Sequence, residues 1–412
     1  MYLLRIAFRN LIRRRGRTLS IASLLALAVV FFLFMESLMV GLMGIAFGNV
    51  IDFETPHIEV ARTEFFADDR QVSVLDATFV PEEDILLTIR SSEGFVALTP
   101  VLDFQAAFAA GRYEFPVRVR SIDPASFGAV FKNEAYLTEG AFVEPYDSGL
   151  VIGDHLARLF ELEVGDSYTL RLQDRQGFPT TLQGYVKGIA SVPHPDMNLR
   201  TVLVARDQLA VALGVEEGAT SQVMVRMENR EQALTQAETL GNRLGGSAFE
   251  ARSYRDASEF LVSMEAWGLL EAYVILALFL VVGAIGIISA IVLSATERVR
   301  EIGMMKALGL KESEIVRVFL LEAGGMGAIG AFMGCVLGAV VVFWLTSYGM
   351  SLEVFLDLGS MGVPLGDRIY GAWSPSSFVM IFLFVTGVAV AASIVPSYWA
   401  ARKNPVDAIR HR

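Results

Sequence analysis

The sequence contains a single cysteine, Cys335. No disulfide can form within the chain, so any folded domain must be held by its own core. Charge is scarce: Asp, Glu, Lys and Arg make up 19% of residues, below the roughly one quarter of ordinary soluble domains. There are only five lysines (132, 187, 306, 311, 403), and none follows a glycine. A phosphate-binding P-loop needs Gly-Lys before Ser or Thr, so that backbone amides cradle the phosphates and the lysine neutralises them. Residues 1–412 hold no such site. The four histidines (57, 155, 194, 411) form no His-Glu-x-x-His pattern and no close pair of metal ligands. No Gly-x-Ser-x-Gly elbow occurs. These absences argue against a hydrolase and for a non-catalytic chain with no ATP site of its own; no catalytic, cofactor or metal residue is assigned.

What is present is apolar sequence in long runs. The apolar fraction is 53%, and charge is nearly missing from four segments, 18–48, 267–295, 318–346 and 376–399. Each exceeds the ~20 residues that a helix needs to cross a ~30 Å hydrocarbon core. The first run is too long for the ~7–15-residue apolar region of a cleaved signal peptide, so it is expected to stay as an anchor. The expected fold is therefore four transmembrane helices plus a mixed α+β extracytoplasmic domain, 49–266, inserted between helices 1 and 2. The remaining parts are a lead-in at 1–17, a loop at 296–317, a second loop at 347–375 and a tail at 400–412.

Charge sets the orientation. Residues 1–17 carry six arginines and no acid, and the tail carries Arg402, Lys403, Arg410 and Arg412 against Asp407 alone. By the positive-inside rule both termini are cytoplasmic, which places 49–266 and 347–375 outside and 296–317 inside. The basic patches serve as topology signals and contacts to anionic lipid rather than as a nucleic-acid surface. In the lead-in, Leu4, Phe8 and Leu11 are expected to share one helix face, with Arg5 and Arg9 on another.

Alternation predicts strands at Glu114–Ile122, with Val117 and Val119 inward, and at Ser167–Leu172, Thr181–Ile189, Thr201–Ala205 and Gln222–Met227. Helices are predicted at Pro81–Arg90, Asp154–Phe160, Arg206–Leu213 and Glu231–Leu244. Another, Tyr254–Glu265, is expected to run without a break into the second span.

The most informative stretch is Thr296-Glu297-Arg298-Val299-Arg300-Glu301-Ile302-Gly303-Met304-Met305-Lys306-Ala307-Leu308-Gly309. Ile302 and Met305 fall three apart on a helix face, with Leu308 a further step along. Charges gather in the first turns, and Gly309 suits a left-handed stop. Such a helix is either a solvated elbow or a docking surface for a cytoplasmic partner. In the third span Gly330, Gly334 and Gly338 make a GxxxGxxxG ridge, which fits either packing within the chain or a dimer seam. Three acids lie in or beside the spans, Glu36, Glu271 and Glu322; structural pairing is expected of them rather than a proton relay.

The 297–309 stretch resembles the ERxREIGxxKALG signature of ABC-transporter permeases of the MacB, FtsX and LolC/LolE superfamily. The resemblance extends through Phe319-Leu320-Leu321-Glu322-Ala323-Gly324-Gly325. It resumes in the tail, Pro396-Ser397-Tyr398-Trp399-Ala400-Ala401-Arg402 to Pro405-Val406-Asp407-Ala408-Ile409-Arg410, where Asp407 replaces the family's usual Glu. Gly149–Val164 followed by Gly165-Asp166 is similar to the family's outer-domain pattern.

The resemblance implies an inner-membrane permease subunit with no cofactor of its own, ATP and magnesium being used by a separate dimeric ATPase. Glu297, Arg298, Arg300, Glu301, Ile302, Gly303, Met305, Lys306, Leu308 and Gly309 would form the helix that seats in that ATPase. It further implies a second permease copy or paralogue, a lipoprotein or other membrane-derived substrate, and a periplasmic chaperone or adaptor. The absence of a fused ATPase and the size of the outer domain suit a lipoprotein-releasing LolC/LolE-type subunit. The alternatives are MacB-like efflux of peptides or drugs, which the Pro-Val-Asp-Ala-Ile-Arg ending favours, and FtsX-like control of cell-wall hydrolases.

Overall fold

The structure, a computed structural model, describes residues 2–13, 15–66, 74–110, 113–244, 248–297, 304, 306, 309–351 and 368–402. It divides into two compact units. One comprises Met1–Leu42, Met264–Met350 and Ile369–Arg412; the other comprises Met43–Ser263 and Ser351–Arg368.

The helical unit is built on four long apolar helices, Arg15–Asn49, Glu259–Glu297, Glu312–Tyr348 and Pro375–Ala401, called here the first to fourth spans. Each is long and apolar enough to cross a membrane. Their shared core takes Leu25, Val29 and Leu33 from the first, Leu280, Ile287 and Ile291 from the second, Phe319, Ala323 and Met326 from the third and Ile381, Val385 and Ala389 from the fourth. Between apolar helices in lipid there is no hydrophobic drive to associate, so close backbone approach and van der Waals packing decide the contacts. The third span supplies that approach through glycine. A Cβ on Gly330 would lie 2.9 Å from Leu25 Cβ, one on Gly334 2.5 Å from Val29 Cβ, and one on Gly338 2.6 Å from Leu33 Cδ1. The ridge is thus occupied by the first span of the same chain. One turn round, a Cβ on Gly327 would lie 2.5 Å from Ala389 Cβ of the fourth span.

The lead-in forms a helix, Tyr2–Arg13, that lies on the third span. Leu11 and Ala7, four residues apart, are buried, with Leu11 against Gly325. Phe8, expected on the same face as Leu11, is 64% exposed. At about 100° per residue, position 8 lies some 60° away from position 11, and the contact is narrower than that. The Leu4 side chain lies outside the described residues.

The second unit is the mixed α+β domain between the first and second spans. Its strands are β1 (Ile58–Arg62), β2 (Phe95–Ala110), β3 (Tyr113–Ile122), β4 (Leu137–Gly140), β5 (Gly149–Gly153), β6 (Ser167–Gln173), β7 (Pro179–Ala190), β8 (Thr201–Ala205), β9 (Gln222–Met227) and β10 (Phe249–Ser253). They pair in the order β10-β1-β9-β2-β3-β8-β5-β7-β4. β6 pairs with both β2 and β7, which closes β2-β3-β8-β5-β7-β6 into a ring. The β3–β8 and β5–β7 pairs are parallel and the rest antiparallel. Phe108, Val119, Leu150, Leu170, Val186 and Val202 fill the ring.

The flat half, β10-β1-β9 and the start of β2, is covered by helices Glu83–Arg90 and Arg230–Leu244. Ala233, Ala237, Leu240 and Leu244 recur at helical spacing and meet Ile58, Val60, Val223 and Val225. The 16-residue β2 runs through both halves, pairing β9 with its first part and β3 with its second.

Two expectations are corrected here. The second-span helix begins at Glu259, not at Tyr254. Asp256 accepts from the Ser253 N–H (2.9 Å) and Oγ (2.7 Å), which favours a 3-10 turn at Asp256–Ser258. Tyr254 meanwhile donates its N–H to the His57 carbonyl (3.2 Å) and sets its ring edge-on to Phe47. The helix expected from Pro81 starts at Glu83, with Glu82 as its cap.

Two titratable groups are buried at the start of β1, Glu59 in the strand and His57 just before it. Burial pushes the Glu59 carboxyl up to about 7, against the opposing pull of Arg252 and Arg120. Burial, with Arg226 nearby, pushes the His57 imidazole down to about 4. A carboxyl whose folded pKa is raised stabilises the protonated fold. Its contribution is full below 4.5 and is lost as pH rises to about 7. For His57 the sign is opposite, with stability lost as pH falls from 6.5 through about 4. Glu59→Gln should therefore melt about 5 °C above the parent at pH 8, with the gap closing towards pH 4.5, in thermal unfolding across that range. A pH-independent gap would refute the assignment. Gly334→Ala should cost about 1–3 kcal/mol in detergent unfolding, because Val29 cannot withdraw without parting two spans. Gly387→Ala, with no heavy atom within 4 Å of its added Cβ, should be near neutral.

Candidate functional site

The stretch after the second span is partly visible. Glu297 is the last residue of the second-span helix and is exposed. Met304 and Lys306 are helical, and Met304 is exposed. Gly309 adopts φ +93° and donates its N–H to the Lys306 carbonyl at 3.0 Å, the left-handed stop that only glycine takes without strain. Lys306 Nζ pairs with Glu312 at 3.1 Å, so the loop and the start of the third span are tied. Glu314 Oε2 accepts from the Lys311 N–H at 2.9 Å, satisfying a helix-end donor. Arg298, Arg300, Glu301, Ile302, Gly303, Met305 and Leu308 lie outside the described residues.

The three intramembrane acids have different settings. Glu36 accepts from Ser377 Oγ of the fourth span. Beside it Ser37 Oγ donates to the Ala372 carbonyl at 3.0 Å, and the Ala372 N–H donates to the Ser37 carbonyl at 3.0 Å. Polar groups thus join the first span to the segment leading into the fourth. Glu322 is buried, with Asn10 Nδ2 of the lead-in helix 3.5 Å from its Oε2. Glu271 is exposed on the second span.

The densest polar cluster was not singled out from the sequence. Where the first span ends, Val50–Glu54 widens into one π-helical turn and enters the domain. Asp52 takes ion pairs from Lys132 (2.7 Å) and from Arg226 of β9 (2.7 Å). Glu54 takes one from Arg118 of β3 (3.1 Å) and a hydrogen bond shared with His194 Nε2 (2.9 Å). Two backbone carbonyls of the turn are also used: Glu54 O accepts from Arg120 Nη1 (2.6 Å), and Asp52 O accepts from the Lys132 N–H (3.0 Å). Arg120 is 1% exposed, and Asp103 across the β2–β3 pair accepts from its Nε and Nη2 at 2.7–3.2 Å. Phe53, between the two acids, is buried with Val192 and Met197 and meets the Tyr136 ring edge-on.

The only hint in the sequence is that Asp52 and Glu54 are the first acids after a long apolar run. Their partners show no spacing pattern. Among the described residues no group of three His, Cys, Asp or Glu side chains is placed to hold a metal ion.

Comparison with known proteins bears on what this arrangement serves. Residues 273–405 match the family described as FtsX-like permease C-terminal. The chain is 24% identical over 328 residues to the lipoprotein-releasing system transmembrane protein LolC of Xylella fastidiosa (strain Temecula1), covering 76% of this chain and 77% of that one. It is 35% identical over 133 residues to the ABC transporter permease YtrF of Bacillus subtilis, covering 32% and 29%. Among solved structures, the periplasmic region of MacB from Actinobacillus actinomycetemcomitans aligns with a TM-score of 0.34 at 12% identity, over 52% of this chain and 95% of that one. Four apolar spans, an α+β domain inserted after the first, and an FtsX-like permease C-terminal region running from the second span into the tail make this chain similar along most of its length to ABC-transporter permeases, non-catalytic multi-pass membrane subunits that act with ATPase subunits.

Proposed function

We propose that this permease couples ATP hydrolysis by a separate ATPase to movement of its outer domain, and that the work done is release of lipoproteins from the inner membrane toward the outer membrane. The observation that carries the reading is the extent of the likeness to the LolC protein, which spans the outer domain as well as the spans. The YtrF likeness covers only 133 residues. In this reading both termini are cytoplasmic and the α+β domain is periplasmic, as the arginine-rich lead-in and basic tail favour.

The stretch 297–309 is the part that meets the ATPase. Arg298, Arg300, Glu297 and Glu301 pair at the rim, Ile302, Met305 and Leu308 fill the groove, and Gly303 and Gly309 permit the turn. Support comes from the exposure of Glu297 at its start and of Met304 within it, and from the left-handed stop at Gly309. The complex is completed by a dimeric ATPase, a second permease copy or paralogue, and a periplasmic chaperone that accepts the substrate.

Purification of the tagged chain from native membranes tests the assignment. An ATPase recovered with lipid-modified proteins supports it. An ATPase recovered with a periplasmic adaptor or a cell-wall hydrolase replaces the substrate while leaving the coupling intact. Recovery of no ATPase after crosslinking removes the coupling as well. Reversing two charges together, Arg300→Glu with Glu301→Arg, should lower ATP-driven release from reconstituted vesicles by about tenfold, since reversal sets like charges against each other across the interface and about 1.4 kcal/mol is tenfold. Unchanged release would refute the role given to this helix.

A further inference from the structure

A cavity of about 870 Å³ lies beside the turn Val50–Glu54. Gly48, Ile51, His57, Lys132, Arg226 and Arg230 are among the residues that line it. All of them belong to the unit that holds the α+β domain. We infer that this cavity binds the phosphodiester of a phospholipid headgroup, with Lys132, Arg230 and the His57 Nε2–H donating to the phosphoryl oxygens. The inference goes beyond lipoprotein release and does not depend on it.

Three observations carry it. The first is charge. The lining sets three cations, Lys132, Arg226 and Arg230, against the acids Asp52 and Glu228. Asp52 takes one ion pair from Lys132 and one from Arg226, and the Val130 carbonyl holds Arg226 further at 2.8 Å. Arg230 is exposed, and its Nη1 lies 3.5 Å from the Gly44 carbonyl. A phosphoryl oxygen would give that guanidinium a shorter, charge-assisted bond. Asn229, Arg230 and Gln232, at the start of the 15-residue helix Arg230–Leu244, also line the cavity. The partial positive charge of a helix start adds to the same field.

The second observation is His57, which lines the cavity although it is 6% exposed. Its Nδ1 accepts the Met227 N–H at 3.2 Å, so the neutral ring carries its proton on Nε2. Among the described residues nothing accepts from Nε2. A buried donor without an acceptor costs free energy until a ligand supplies one. Burial, and then Arg226 and Arg230 against the pull of Asp52, hold this imidazole at about 4. The potential at the ring is therefore positive, and a neutral donor in a positive field complements an anion.

The third observation is position along the chain. The apolar run 18–48 rises about 46 Å as a helix, against ~40–45 Å for a bilayer with its headgroup layers. With the basic flank Arg13–Arg17 in one headgroup layer, Gly48 and Ile51 fall in the other. Phosphodiesters are concentrated there, which favours a lipid over free phosphate.

The test titrates the full chain in a neutral detergent and follows the ring nitrogen resonances of His57, identified by their loss in His57→Gln. The probes are short-chain phosphatidylglycerol, inorganic phosphate, and short-chain diacylglycerol, which has no phosphate. Phosphatidylglycerol should shift the His57 resonances and raise their titration midpoint above about 4, because a bound anion favours the imidazolium. Arg230→Gln should raise the half-saturating concentration about tenfold, the loss of one hydrogen bond to a charged group. Diacylglycerol and inorganic phosphate should leave His57 unmoved at the same concentrations. Equal half-saturation in parent and variant, no response to phosphatidylglycerol, or an equal response to diacylglycerol overturns the site. An equal response to inorganic phosphate overturns the lipid assignment. Should Arg230→Gln fail to accumulate folded, Lys132→Gln takes its place under the same criterion. No readout needs an ATPase or a lipoprotein, so the result stands apart from the release reading.

Discussion

Arg120 is the charge on which the outer domain depends most. Its guanidinium is 1% exposed, and a buried cation is tolerated only when its donors are all aimed at acceptors. Asp103 takes two sides of it, and the Glu54 carbonyl takes a third. Removing Asp103 would strand the cation, a change that costs about 3–5 kcal/mol in comparable buried pairs. The pairing also fixes geometry. It ties β2 to β3 side by side, and it ties both to the π-helical turn Val50–Glu54. Around this centre the other contacts of the exit turn fall into place, because Arg118 is two residues along the same strand and its side chain reaches the Glu54 carboxylate.

The helical unit obeys a different rule. Its helices contain little that can pair by charge, and their apolar surfaces gain nothing by leaving lipid for one another. Shape decides instead. Gly330, Gly334 and Gly338 open one side of the third span to Ala22, Val29 and Leu33, and Gly327 opens the adjoining side to Ala389. Few polar groups are spent inside: Glu36 with Ser377, Ser37 with Ala372, and Glu322 near Asn10. They lock helix register where packing alone would permit sliding. One chain therefore uses two kinds of stiffness, glycine-mediated packing in the helical unit and charge-mediated bonding in the domain, each suited to its solvent.

The strands read from alternation at 201–205 and 222–227 coincide with β8 and β9, and the helices at 154–160 and 206–213 have the ends expected of them. β1, β4, β5 and β10 escaped notice as strands. β1 and β5 are buried on both faces and do not alternate, which is how strands in the middle of a sheet read. β2 was missed because Pro100 and Asp103 interrupt an apolar run that only pairing with β9, β3 and β6 makes continuous. The start of the second-span helix was misplaced for a local reason: the Asp256 side chain competes for backbone donors that a helix would otherwise use.

What the sequence by itself determined is the number of spans, the inserted domain, the glycine ridge and the 297–309 signature. Each is a local signal, in which the free energy of about twenty consecutive residues, or the spacing of a few, acts in one direction. Tertiary structure alone decided which partner the ridge faces and what grips the end of the first span. Asp52 finds Lys132 80 residues away and Arg226 174 away, and Glu54 finds Arg118 64 away and His194 140 away. No period links such positions. They meet because the sheet order sets β9 beside β2 and β2 beside β3 beneath the exit turn, and ion pairing between them follows from that placement rather than causing it.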